Sequence, residues 1–410
     1  MRAIRVDGVT VIALLGFAFF SGYQFRSAQE HLSTIVVNEK VASNSEPVLS
    51  ISRFVKDDSP VISTPTRPFI KRKKPLVVHP TYEGPLQRVF PIYPHKLPCL
   101  PKAHNYGYGF EKGIGWDKKG MFYTKLSKCS SSTLAGIAVQ IARNEAVRQN
   151  RTGDKAPQEC RVKADHGNYF SIMHRDKAQS ILWTFVREPA SRQVSDFFHF
   201  HVSRRGEAAT DSNLQTAARK ALNVANYMTG GHFMRPGGKH LKTTEEKVGF
   251  IVDTYDFIGV VERFHESLIV LKMIFRLDLR DILYTSAKRS GGYDDGEYRE
   301  TCHYIKRSVV SPTVKEWFTN STEWNEYAKE DILLYRVALK SLDLTIESLG
   351  KAQVERQVLL LEEALKYTDD VCGPTAVYPC SAEGKKQSHT TCVDHDWACA
   401  HKCIETLDLS

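Results

Sequence analysis

Met121-Phe-Tyr-Thr-Lys-Leu126, then Lys128-Cys-Ser-Ser-Ser-Thr133, then Leu134, Ile137, Ala138 and Ile141: this run decides the fold class. The apolar hexapeptide predicts a short strand, and the polar stretch a loop. The helical spacing of the four apolar residues predicts a helix over 133–150. Two further units follow. Ile181–Val186 (Ile-Leu-Trp-Thr-Phe-Val) runs through Arg187-Glu-Pro-Ala into a helix from Ser191 that carries Val194, Phe197, Phe198 and His201. Phe257–Val261 precedes a helix with Phe264, Leu268, Leu271 and Phe275 on one face. Strands alternating with helices predict an α/β domain, with a central, mostly parallel sheet flanked by helices. Helical patterns over 323–349 and 352–367 complete it.

Toward the amino terminus the composition changes. Eleven of the 17 prolines fall between Pro47 and Pro101. That density erases any amphipathic period and predicts an extended lumenal stem over 26–104. Lys71-Arg-Lys-Lys74 lies inside it and reads as a solvated charge run. Before the stem, Gly8 to Phe25 holds one dense apolar run behind Arg2 and Arg5. Its length and flanks predict a cytoplasmic tail and signal-anchor helix over 1–25, with a cleaved signal peptide as the competing reading. In either case the rest of the chain faces an oxidising lumen. The expected organisation is therefore anchor 1–25, stem 26–104, catalytic domain 105–367 and a Cys-rich extension 368–410.

The chain has 410 residues, of which 42% are hydrophobic and 25% charged. These fractions exclude global disorder, collagen and a multi-span membrane protein. The net charge is +9. Between residues 26 and 101, eleven Lys and Arg face six Asp and Glu, so most of the excess belongs to the tether. It carries no argument for nucleic acid, which is not expected as a partner.

The chemistry lies in the first two units. A strand that delivers Lys128, Cys129, Ser130, Ser131, Ser132 and Thr133 to a helix start builds an anion site. The first helical N–H groups lack intrahelical partners, the dipole end is positive, the hydroxyls add donors and Lys128 adds a charge. The loop lacks the G-x-x-x-x-G-K-[ST] pattern of Mg²⁺-dependent phosphate loops. A Ser-rich turn that merely caps the helix is the plainer reading of this loop alone. In the second unit Arg187 sits at a strand end, and Ser195 lies one to two helical turns on. A guanidinium grips phosphate bidentately and a hydroxyl can complete the cradle. Two such loops at two strand ends suit a ligand with anionic groups at both ends.

Together these motifs resemble the 5′-phosphosulfate and 3′-phosphate loops of Golgi carbohydrate sulfotransferases. The nearest in pattern are the heparan sulfate uronyl 2-O-sulfotransferases and the galactose 3-O-sulfotransferases. Their first loop reads Lys-Thr-Ala-Ser and their second Arg-Asp/Glu-Pro with a Ser eight residues after the Arg, as Arg187 and Ser195 are here. Cys129 departs from the frequent Thr. Tyr255–Leu268 and Tyr284–Tyr293 resemble later family segments, which makes Thr285, Ser286, Lys288 and Arg289 candidate contacts to the nucleotide. The resemblance spans roughly 118–350. It implies a P-loop-like sulfotransferase fold and 3′-phosphoadenosine 5′-phosphosulfate (PAPS) as donor, with no metal required. It also implies a glycan acceptor and a single-pass type II protein of the Golgi membrane. Lys128 would act at the bridging and leaving oxygens. His166, in Asp165-His-Gly-Asn-Tyr169, would be the base, with His174 as alternative. The acceptor sugar and the oligomeric state stay open.

Five of nine cysteines, Cys372, Cys380, Cys392, Cys399 and Cys403, crowd the last 40 residues. In a lumenal chain they predict a disulfide-stapled extension in which one of the five pairs elsewhere or stays free. Cys129 is the cysteine expected to be unpaired. A zinc site on His395, Cys399 and Cys403 is the weaker reading, since the spacing is wrong. A low-pKa nucleophilic Cys129 beside Lys128 is another. Asn150-Arg-Thr and Asn320-Ser-Thr are glycosylation sequons. Rival classes are a Golgi glycosyltransferase, whose metal-binding Asp-x-Asp would have to be Asp394-His-Asp396, and a non-catalytic lumenal protein that keeps the nucleotide fold.

Overall fold

The computed structural model describes residues 72–97, 99, 120–149, 175–229, 241–285, 290–294, 301–393 and 395–409, and the backbone of 162–165. The predicted anchor and the stem up to residue 71 lie outside these. Among the described residues no helix is long and apolar enough to cross a membrane.

The α/β expectation is met. Strands β1 (Gly120–Thr124), β2 (Val162–Asp165), β3 (Ser180–Val186) and β4 (Phe257–Val260) form one sheet in the order β2-β1-β3-β4, with every pair parallel. All residues of β1, β3 and β4 are buried, the pattern of strands covered on both faces. Tyr123 and Trp183 sit opposite one another in the register and pack at 4.4 Å between ring centroids. Strand β2 has no apolar run in its sequence and is held through backbone pairing to β1.

Helix α1 (Ser131–Arg148) returns from β1 toward β2, and α2 (Pro189–Asp196) leaves β3. A π-helical stretch, Phe197–Arg204, continues α2. Helix α3 (Thr244–Thr254) enters β4, and α4 (Phe264–Phe275) leaves it. Thr243 and Glu246 form a reciprocal capping box at the start of α3, a signal legible as Thr-x-x-Glu. The pattern over 323–349 is two helices. Ser321 caps the short Thr322–Tyr327, and α5 (Lys329–Leu349) starts after Ala328. Helix α6 (Lys351–Cys372) packs against α4.

The proline-rich segment over 72–99 departs from the expected tether. Val77, Tyr82, Phe90, Tyr93, Leu97 and Cys99 are buried. Phe90 N–H donates to Thr345 Oγ1 (2.9 Å), Tyr93 N–H to Ile274 O (2.7 Å) and Arg88 N–H to Ser341 Oγ (3.1 Å). Proline density forbids regular ladders, but it leaves isolated N–H groups and aromatic rings free to dock. The stem boundary at 104 is therefore corrected: the globular unit includes this strap.

The carboxyl-terminal extension is disulfide-bonded, as expected for the cluster. Cys372–Cys403 joins the end of α6 to the helix His401–Thr406, and Cys392–Cys399 closes a short loop. Cys380 is the member that pairs outside the cluster, with Cys302. Cys99 is also disulfide-bonded, to a partner outside the described residues. With Cys399 and Cys403 both oxidised, the zinc reading is overturned. This cap covers the outer face of α1. A Cβ on Gly136 would lie 2.6 Å from Ala398 N, and Arg143 pairs with Glu405 at 2.8 Å. The cap explains why α1 is buried nearly all round in its first three turns, where its sequence predicts one apolar stripe.

Candidate functional site

The strand order sets the site. The chain leaves β1 through α1 toward β2 on one side, and β3 and β4 add on the other. The carboxyl ends of β1 and β3 thus form a topological switch point, where a crevice opens between diverging connections. Both predicted anion loops begin there.

In the first loop Lys128 (φ 61°) and Ser130 (φ 59°) adopt left-handed backbone conformations that cost non-glycine residues about 1–2 kcal/mol each. The turn closes through Cys129 N–H to Leu126 O (3.3 Å), and the helix starts with Leu134 N–H to Ser130 O (3.1 Å). Ser130 makes no side-chain cap. The N–H groups of Ser131, Ser132 and Thr133 have no acceptor among the described residues. The plainer reading of a Ser-rich capping turn therefore fails at Ser130, and three donors stay open at the positive end of α1.

In the second loop Glu188, fully buried, caps α2. Its carboxylate accepts from Ala190 N–H (2.9 Å), Ser191 N–H (2.7 Å) and Ser191 Oγ (2.6 Å), and meets His79 Nε2 at 3.2 Å. Burial acts to raise this carboxyl, but the hydrogen bonds from His79 and Ser191 outweigh it and hold its pKa below the usual value. Glu188 is therefore the device that aims its neighbour. Arg187, a quarter exposed, donates from Nη1 to Lys128 O at 3.1 Å, so the second loop touches the first. Its Nε lies 4.0 Å from Glu262 Oε1, at the end of β4. Burial raises the Glu262 carboxyl above its usual range, and the Arg187 charge pulls it back only in part.

The segment after Ser195 faces the first loop. Lys128 Nζ lies 5.7 Å from the Phe200 ring centroid, and Arg204 Cζ lies 5.2 Å from the same ring. Burial keeps the Asp196 carboxyl above the usual range, against the pull of the Arg192 charge and then of Lys128. Ser195 itself is half-buried, and its hydroxyl has no hydrogen-bond partner among the described residues. The fold thus gathers Lys128, the open N–H groups of Ser131–Thr133, Arg187 and the Ser195–Phe200 segment. No known family model matches the chain, and no curated protein does.

Other predicted contacts fall elsewhere. Cys129 is wholly buried with its N–H committed to Leu126, so it anchors the loop from below and offers a ligand nothing. Burial pushes its thiol up to about 12, against Arg192 and Arg187, which removes the nucleophilic-cysteine reading. Thr285 is buried and donates to Cys399 O (2.9 Å), so it docks the cap. His166, His174, Ser286, Lys288 and Arg289 lie outside the described residues, as does Asp394. Strand β2 ends at Asp165, opposite Thr124, the residue before His166. Sequence reasoning passed over Glu262 and Asp196. Their signal was an acid one to two residues beyond a strand or a site serine.

Proposed function

We propose that this protein transfers a sulfuryl group from PAPS to a hydroxyl of a glycan. The observation that carries the reading is the hydrogen bond from Arg187 to Lys128 O at the switch point. It sets two anion-binding loops side by side, as a donor with a phosphosulfate at one end and a phosphate at the other requires. The resemblance of the two motifs to those of Golgi carbohydrate sulfotransferases supports the assignment of PAPS over other bisanionic ligands. The oxidised cysteine cap supports a lumenal location, and the Golgi membrane anchor is part of the same proposal.

In this reading the acceptor oxygen forms the new S–O bond while the S–O bond to the 5′-phosphate breaks. The acceptor proton passes to a base, assigned to His166 on the resemblance. Charge develops on the leaving phosphate, where Lys128 and the open N–H groups of Ser131–Thr133 stabilise it. Arg187 and Ser195 hold the 3′-phosphate. No metal is required for any of these roles.

Incubation with labelled PAPS and a panel of desulfated glycans tests the proposal. Transfer to at least one glycan, reduced about 100-fold or more in Lys128→Ala, is the expected result. Absence of transfer across the panel, with no retention on immobilised 3′,5′-adenosine bisphosphate, overturns it.

A further inference from the structure

The basic run in the strap is exposed, yet it is tied to the globular unit at fixed points. Arg72 forks onto Glu266 (Nε–Oε2 2.8 Å, Nη2–Oε1 2.6 Å), Lys73 N–H donates to Glu262 O (2.9 Å), and Leu76 N–H donates to Ser191 Oγ (2.9 Å). His79 reaches Glu188. All four partners follow β3 or β4 at their carboxyl ends, so the strap crosses the rim of the candidate site. Lys73 and Arg187 both adjoin Glu262, Lys73 through its backbone and Arg187 through its guanidinium.

Among the described residues, the charges at this rim are not all paired. The Lys73 ammonium has no ion pair or hydrogen bond among the described residues, although its neighbour Arg72 has a bidentate one. Arg187 uses one of its five N–H groups, on Lys128 O. Their shared neighbour, Glu262, is buried, and its carboxylate also accepts from Glu188 N–H (3.3 Å). More than a third of the Lys73 surface is open to solvent, so the side chain is accessible to a ligand, and its backbone is fixed at Glu262 beside Arg187. Burial lowers the Lys73 pKa most and the Arg187 charge lowers it further, while Glu262 opposes the shift. An anion arriving between Lys73 and Arg187 relieves their repulsion.

We propose that Lys73 is an anion-binding residue of this site, a third cation beside Lys128 and Arg187, delivered by the strap to the phosphate end that Arg187 holds. The ligand class is a phosphate or sulfate ester, and the link to the 3′-phosphate of a nucleotide rests on the function proposed above. Lys74, exposed and without a partner among the described residues, is the control next in the chain.

Titration of the full chain with two probes, 3′,5′-adenosine bisphosphate and inorganic pyrophosphate, tests this at several salt concentrations. Lys73→Ala is expected to weaken both probes about tenfold and to flatten the salt dependence. Lys73→Arg should restore most of the affinity, and Lys74→Ala should match wild type. Unchanged binding of the bisphosphate by Lys73→Ala overturns the inference and leaves the functional reading standing. Pyrophosphate binding that depends on Lys73, without bisphosphate binding, overturns the functional reading and keeps the inference. A wild-type chain that binds neither probe overturns both. Unaltered melting temperature and circular dichroism in Lys73→Ala exclude misfolding as the cause.

Discussion

The strap (72–99) and the cap (372–409) are two irregular segments that close over the same α/β unit by different physics. The strap is held by ion pairs, single backbone donors, a few aromatic rings and, at its far end only, the disulfide of Cys99. The cap is held by three disulfides, by backbone contact with α1 at Gly136, and by a few polar contacts such as Arg143–Glu405 and Thr285–Cys399. Covalent links constrain the unfolded chain and are indifferent to salt. Half-exposed ion pairs add little each and weaken with ionic strength. The cap should therefore respond mainly to reductant, and the Arg72–His79 end of the strap, far in sequence from the Cys99 disulfide, to salt.

The largest expected effect is on the cap. The loops closed by Cys302–Cys380, Cys372–Cys403 and Cys392–Cys399 span 78, 31 and 7 residues. Chain-entropy arguments give about 4–5, about 4 and about 2 kcal/mol respectively. Reductant should lower the melting temperature sharply, whereas 1 M salt in place of about 50 mM should leave the cap protease-resistant. A cap released by salt alone would erase the contrast. Next in size, Gly136→Ala drives a Cβ onto the Ala398 amide and should cost about 1–3 kcal/mol, read by denaturant titration together with faster proteolysis within 392–399. Weaker still, Arg72→Ala should cost about 0.5–1 kcal/mol, because Arg72 is half-exposed and Arg263 still pairs with Glu266. That loss should shrink in high salt, as judged by paired melts. A salt-independent loss would assign the strap to packing instead.

The smallest effect at neutral pH concerns Cys129, wholly buried in the first loop. Its thiol is raised from 9.0 to about 12. The folded state holds that proton more tightly than the unfolded chain does. Its contribution to stability is whole below pH 9 and is lost as the pH rises toward 12. Cys129→Ala should flatten the alkaline limb of a stability–pH curve. An alkylating reagent at pH 8 should leave Cys129 unlabelled until denaturant is added; native labelling would place the thiol at the surface.

What the sequence disclosed follows from how each element is stabilised. Strands β1, β3 and β4 are legible because burial on both faces demands continuous apolar runs. Strand β2, four residues of Val-Lys-Ala-Asp, is not, because its support is backbone pairing. The strap is masked by its prolines: its docking residues, such as Tyr82, Phe90 and Tyr93, follow no period. Lys128 and Arg187 are legible as motif residues, whereas the bond between them needs the parallel pairing of β1 with β3. The burial of Cys129 and the docking of Thr285 onto Cys399 depend on layers that no local pattern records.

The hydrogen bond from Arg187 to the Lys128 carbonyl also has a thermodynamic side. It couples the two loops, because a ligand that draws the guanidinium away removes a hydrogen bond from the strained, left-handed backbone of Lys128. Occupancy at one loop must then alter affinity at the other by the same factor in both directions. The two halves of a bisanionic ligand are therefore expected to bind non-additively, and substitutions at Lys128 and Arg187 to couple in a double-mutant cycle.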